Sequence, residues 1–194
     1  MKTLKLATVK KWFVLSLPII LLGTASCNQA QEESSKETKI EAPRATIQEA
    51  AFFGNIDAIK GHIAAKTDLN QKDDYGSTPL HIAATFGKNE VAILLIEGGA
   101  NLNEISADGS TPLHTAAFFG RVGIVKALLA HKADVTIRNN YNATALESVS
   151  APFEEIKPIY DQLSKDLGPF GLKLDYDLLK ANRPVIAEMI KNNK

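Results

Sequence analysis

One cysteine, Cys27, serves the whole 194-residue chain, so no disulfide can form within it. The four histidines, His62, His81, His114 and His131, are scattered and have no cysteine cluster beside them, which leaves no metal-ligand spacing to read. A serine-nucleophile motif, a phosphate-cradling glycine loop and a carboxylate pair at an interpretable spacing are all missing. Nothing converges on a reaction, and the expectation is a non-catalytic protein without metal or cofactor. Charge of one sign is also lacking: 22 basic and 22 acidic side chains cancel. Beyond residue 26 the signs stay interspersed, 18 basic against 22 acidic, so there is no clustered basic stripe to displace counterions from phosphates and no nucleic-acid partner is expected. Long hydrophobic runs are absent too. Trp12 to Leu22 would reach only about 16 Å as a helix, roughly half the hydrocarbon thickness of a bilayer, and Pro18 interrupts it. What remains, 45% apolar and 23% charged, is a globular composition with room for one core.

The N-terminus carries a pattern of its own. Lys2, Lys5, Lys10 and Lys11 precede the apolar run, and Gly23, Thr24, Ala25 and Ser26 follow it, so residues 1–26 read as a secretory signal peptide. Cys27 comes next. The arrangement resembles a bacterial lipoprotein lipobox, which implies cleavage before Cys27 and acylation of its thiol. Acyl chains at about 0.8 kcal/mol per buried methylene would hold the protein on a membrane without a spanning helix. The alternative is an ordinary signal cleaved after Ala25 that leaves a free thiol. Asn28 stands where an aspartate favours inner-membrane retention in enteric-type lipoproteins, so the resemblance points to the outer membrane, periplasmic or surface-facing. Residues 27–44, rich in Gln, Glu, Ser, Lys and Thr, are expected to be a disordered tether.

A period of 33 residues organises the rest. Thr78-Pro79-Leu80-His81-Ile82-Ala83-Ala84 recurs as Thr111-Pro112-Leu113-His114-Thr115-Ala116-Ala117, and a worn copy begins Thr144-Ala145-Leu146-Glu147. At the same step Gly54, Gly87 and Gly120 coincide, as do Asp68, Asn101 and Asp134, and Leu69, Leu102 and Val135. Self-similarity at this period means stacked units. The block resembles the ankyrin repeat family. That resemblance implies an all-α solenoid of helix-turn-helix units with β-hairpin fingers over 45–194: units at 45–77, 78–110 and 111–143, an irregular unit at 144–172, and a divergent C-terminal capping pair at 173–194.

Local chemistry supports the units separately. Thr78 and Thr111 can cap a helix, and Pro79 and Pro112 fit the first helical position, where no amide hydrogen is missed. Leu80, Ala83 and Ala84 fall on one face, as do Val91, Leu94 and Leu95 of the next helix, and Ile124, Leu128 and Leu129 one unit on. Such stripes cannot be buried inside a single unit, so neighbours must cover them. Gly99 sits where a left-handed residue should end a helix, with Lys66 and Lys132 at the matching positions. Pro152 and Pro158 are expected to interrupt helices, and separate helices are expected at 176–181 and from about Pro184.

The surface the repeat does not need carries the functional reading. In the resembled family the residues after each Ala-Ala pair line a concave groove; here they are Phe52, Phe53, Thr85, Phe86, Phe118 and Phe119. With the finger residues Tyr75, Asp108 and Tyr141 they make the candidate partner-binding set, with another protein as partner and a monomer as the expected state. Mutual packing of Phe53, Phe86 and Phe119 is the competing role. The resemblance also implies that His81 and His114 bond backbone between units. Two other functions stay open: envelope stress protection in support of a periplasmic enzyme such as catalase, and a cell-wall ligand-binding or enzymatic pocket in 145–175 using Glu154, Glu155, Tyr160 and Asp161.

Overall fold

The computed structural model describes residues 41–193. The expected signal segment, Cys27 and residues 27–40 of the expected tether lie outside the described residues. Within them the chain forms nine α-helices and one 3-10 turn, with no strand. The helices are α1 (Ile47–Phe53), α2 (Ile56–Ala64), α3 (Pro79–Phe86), α4 (Asn89–Glu97), α5 (Pro112–Phe118), α6 (Val122–Ala130), α7 (Ala145–Ser150), α8 (Phe153–Leu167) and α9 (Tyr176–Lys191). The turn is Gly168–Phe170.

Two layers result. Helices α1, α3, α5 and α7 pack in that order, and behind them α2, α4, α6 and α9 do the same. Each front helix also pairs with a back one, α7 with α9 included. The stripes face inward as their spacing requires: Leu80, Ala83 and Ala84, then Leu113, Ala116 and Ala117, are at most 1% exposed. Alanines at the contact let neighbouring helices approach closely, and the leucines fill what is left.

Helix starts follow one design. Thr46, Thr78, Thr111 and Thr144 each accept from the backbone N–H three residues on, and the side chain there, Glu49, His81, His114 or Glu147, reaches back to the threonine N–H. At the ends, Lys66, Gly99 and Lys132 adopt φ of 55°, 91° and 62°, so two lysines take the left-handed place that glycine fills once.

The fingers depart from the expected β-hairpins. Each is a hydrogen-bonded turn too short for a ladder: Asp73 N–H donates to Ser77 O at 2.9 Å, Ser106 to Ser110 at 3.0 Å, and Asn139 to Ala143 at 3.0 Å. Side chains take over what a second strand would do, because Asp73 Oδ1 accepts from the N–H groups of Tyr75 and Ser77, and Asn139 Oδ1 from those of Tyr141 and Ala143. Adjacent fingers join through Ala107 N–H to Tyr75 O at 3.1 Å and Asn140 N–H to Asp108 O at 2.9 Å.

The C-terminal region also differs from its expected form. Pro158 lies inside α8 and Pro184 inside α9, and neither breaks its helix. Both prolines are exposed, as are Glu154 and Lys180, whose carbonyls lose their helical donors, so water can replace the missing bonds. A single α9 therefore replaces the expected pair of helices. Leu179 and Asn182 of α9 pack over Gly120, and Asn182 Nδ2 donates to Gly120 O at 3.0 Å. Arg121 covers Gly87 in the same way one unit earlier. Helix α9 thus completes the fourth unit with α7, and α8 with its turn is an insertion between them, belonging to neither layer.

At the other end Pro43, within the stretch expected as tether, packs so closely on Gly61 that an added Cβ would lie 2.7 Å from its ring. His62 beside it bonds Ala45 O at 2.8 Å and Thr67 Oγ1 at 3.2 Å. The entering chain closes the first unit, which accounts for Gly61 and His62 where the next unit carries Leu94 and Leu95.

Candidate functional site

The buried histidines are fully engaged. Thr78 N–H donates to His81 Nδ1 at 3.2 Å, so the ring proton sits on Nε2, which donates to Ser110 O in the following finger at 2.9 Å. His114 repeats this with Thr111 and with Ala143 O at 3.0 Å. Burial holds both imidazoles below the usual histidine range, against the opposite pull of the carbonyls they donate to. They tie each unit to the next, and among the described residues no group of three His, Cys, Asp or Glu side chains could hold a metal.

The four polar residues of the rival pocket do not converge. Glu154 pairs with Lys180 at 3.3 Å and Asp161 with Lys157 at 2.9 Å, while Tyr176 donates to Asp161 at 2.8 Å. Glu155 is exposed. Tyr160 is fully buried, and its hydroxyl donates to Phe118 O at 2.6 Å. Arg183 of α9, 3% exposed, donates to the Tyr160 hydroxyl at 3.0 Å and to Ala151 O at 2.8 Å and Ser148 O at 3.3 Å. It satisfies the last carbonyls of α7 and pins α8 with one side chain.

The aromatic row splits into two environments. Phe52 meets Phe86 edge-on with centroids 4.6 Å apart and Phe53 at 5.0 Å, while Phe53 itself is 73% exposed. Phe118 instead packs on Tyr160 at 4.7 Å, and Phe119 is buried, with the Arg121 guanidinium 6.0 Å from its ring. Arg121 also donates to Thr85 O at 2.8 Å. Tyr75 and Tyr141 on the fingers are exposed at 79% and 77%. Asp108 is held below the usual carboxylate range by Ser106 and Ser110, whose hydrogen bonds outweigh the larger single contribution of burial, which acts the other way.

Two adjoining cavities run along this face. One, about 450 Å³, lies between the third finger and α8, lined by Phe118, Phe119, Tyr141, Ile156, Ile159 and Leu163 among others. The second, about 310 Å³, reaches Tyr75 and Thr85 and shares Asp108, Thr115 and Phe119 with the first. The structure thus brings Tyr75, Thr85, Asp108, Phe118, Phe119 and Tyr141 onto one cleft, with Phe52, Phe53 and Phe86 clustered separately. Sequence reasoning missed Ile156, Ile159 and Leu163. Their spacing of three and four was available as a signal, but Pro158 among them argued against a helix.

Residues 47–139 match a family model described as ankyrin repeats, in three copies. The fold is an all-α ankyrin-repeat fold. Human and mouse protein phosphatase 1 regulatory subunit 27 are each 38% identical to this chain over 55 residues, which is 28% of the chain and 36% of the relative. A mouse 60 kDa lysophospholipase is 40% identical over 50 residues, 26% of this chain and 9% of that protein. The chain therefore spans well under two thirds of each of these relatives.

Proposed function

We propose that this protein is a non-catalytic scaffold, lipid-anchored through Cys27 in a bacterial cell envelope, which binds another protein through its concave face and fingers. The observation that carries the reading is the exposure of three aromatic side chains at groove and finger positions, Phe53 at 73%, Tyr75 at 79% and Tyr141 at 77%, on a repeat fold whose helix stripes are buried. Ankyrin repeats are protein-interaction modules, and a relative named as a regulatory subunit fits that role. Anchorage rests on the lipobox-like sequence ending at Cys27; among the described residues no helix is long and apolar enough to cross a membrane. The outer membrane, with the repeats on its periplasmic or outer side, is the location this sequence favours.

Two measurements test the two halves. A labelled fatty acid should enter the wild-type protein and not Cys27→Ser; equal labelling defeats the anchor. Crosslinking at the membrane should trap a specific protein with wild type and lose it with the Phe53→Ala/Tyr75→Ala pair. Capture that survives the pair defeats the docking face.

A further inference from the structure

The concave face is not left open along its whole length, because α8 lies over its C-terminal end. Tyr160 anchors that helix against Phe118, yet Ile159 on the same helix is 49% exposed and, with Ile156 and Leu163, walls the cavity opposite Tyr141. One side of a well-seated helix is thus left apolar and half uncovered, facing an aromatic finger. We infer that this slot takes a cationic amphipathic helix of the partner protein, its apolar row seated between Ile159 and Tyr141. The inference rests on the docking reading above and names the kind of segment docked.

Three observations select that occupant. Polar groups lining the slot are already engaged: His114 with Ala143 O, Asn139 with Ser110 Oγ and with two finger N–H groups, and Ser110 with Asp108. Apart from the solvent-exposed Tyr141 hydroxyl, a small polar ligand would find no unmatched group to orient it. The finger backbones are likewise engaged, since each finger bonds within itself and to its neighbour. An extended peptide adding as a strand would meet only the isolated carbonyls of a tight turn, such as Tyr141 O on the outer side of the third finger, whereas a helix satisfies its own backbone and needs only side-chain contacts.

Charge sets the sign. Asp108 lines the slot and is held ionised by its serine neighbours. Along α8, Glu155 and Asp166 follow the row of Ile159 at helical spacing, and both are exposed. Of the nearby cations, Lys157 pairs with Asp161 and Arg138 with Glu147 at 2.8 Å, while Lys165 falls off the row of Ile159 at helical spacing. A partner helix with lysine or arginine flanking its apolar row meets acid on both rims. From the first finger to the third is two unit steps of roughly 8–10 Å, a span that about 12 helical residues cover.

The test uses the full chain and two fluorescent 15-residue amphipathic model helices, one of leucine and lysine, one of leucine and glutamate, followed by anisotropy. The lysine peptide should bind saturably and the glutamate peptide at least tenfold more weakly. Ile159→Lys should weaken the lysine peptide at least tenfold, and Glu155→Lys/Asp166→Lys several-fold, with unchanged circular dichroism. Val185→Lys, at an exposed position of α9 that lines neither cavity, should bind as wild type. Equal binding of both peptides, or binding indifferent to Ile159→Lys, overturns the inference. If partner crosslinking still depends on Phe53 and Tyr75 in that event, the docking face stands and only the slot fails.

Discussion

The same column of the repeat meets two fates in this molecule. In the first two units its aromatic residues are less covered: Phe53 is 73% exposed, and Phe52 and Phe86 are half-buried and meet edge to edge. In the third, Phe119 is 7% exposed beside Phe118 and Arg121, and Phe118 in turn lies under Tyr160, because the chain leaves α7, crosses the face as α8 and returns as α9. The 33-residue period sets where a side chain points. What then covers it is decided by an insertion that obeys no period.

The largest effect should come from removing the cover's anchor. Tyr160→Ala deletes a fully buried ring and leaves Arg183 Nη1 and Phe118 O without their partner, which should cost about 3–5 kcal/mol in urea unfolding. Phe52→Ala, from a half-buried site, should cost about 1–2 kcal/mol. Equal losses would erase the distinction between the two ends. A Tyr160→Phe variant separates the ring from the hydroxyl and should lose about 1–2 kcal/mol for the broken hydrogen bonds.

Acid should also tell the regions apart. His81 and His114 are neutral in the fold with their protonation depressed, so the unfolded chain binds more protons. Their contribution is complete above the ordinary histidine value of about 6.5 and is lost as pH falls below it towards the depressed folded values. Protonation would also put a hydrogen on Nδ1, facing the Thr78 or Thr111 N–H. In the fourth unit Glu147 takes the histidine's place. There the Thr144 N–H and the Arg138 guanidinium hold its carboxyl down at about 2, so its contribution persists to the ordinary carboxylate range and fades only as pH approaches that value. Urea midpoints should therefore fall between pH 7 and 5 in wild type and fall less steeply in His81→Gln/His114→Gln. Glu147→Gln should leave that slope unaltered and flatten the decline below pH 4.5. A double histidine variant with the wild-type slope would remove the histidines from the acid response.

The repeat was legible because each of its signals is local. Thr78-Pro79 announces a helix start, Gly87 a stop, and Leu80 with Ala83 and Ala84 a buried face, each fixed by a few neighbouring residues. The insertion was not, because its decisive contacts join distant residues. Tyr160 is buried by Phe118, 42 residues away, and Arg183 reaches back 32 residues to Ala151. Pro158 and Pro184 misled for a related reason. Proline forbids one hydrogen bond, and whether that ends a helix depends on exposure, which the local sequence does not state. The finger turns fell between, with their positions readable and their lack of strand set by side-chain acceptors at Asp73 and Asn139.

The finest distinction between regions lies at the ends of α2, α4 and α6. Gly99 closes the middle unit in the left-handed conformation, and Lys66 and Lys132 do so on either side. A Cβ in that conformation costs roughly 1 kcal/mol, but glycine also enlarges the unfolded ensemble, so the net gain from Lys132→Gly should stay below about 1 kcal/mol. For a chain of this size that is a rise in melting temperature of up to about 2–4 °C. The converse variant Gly99→Lys should fall by a similar amount, since a Cβ there meets nothing within 4 Å and only backbone strain is added. If Lys132→Gly melts no higher than wild type while Gly99→Lys melts lower, the flanking lysines are held by more than the backbone. The comparison would then shift from conformational cost to contacts made by their side chains.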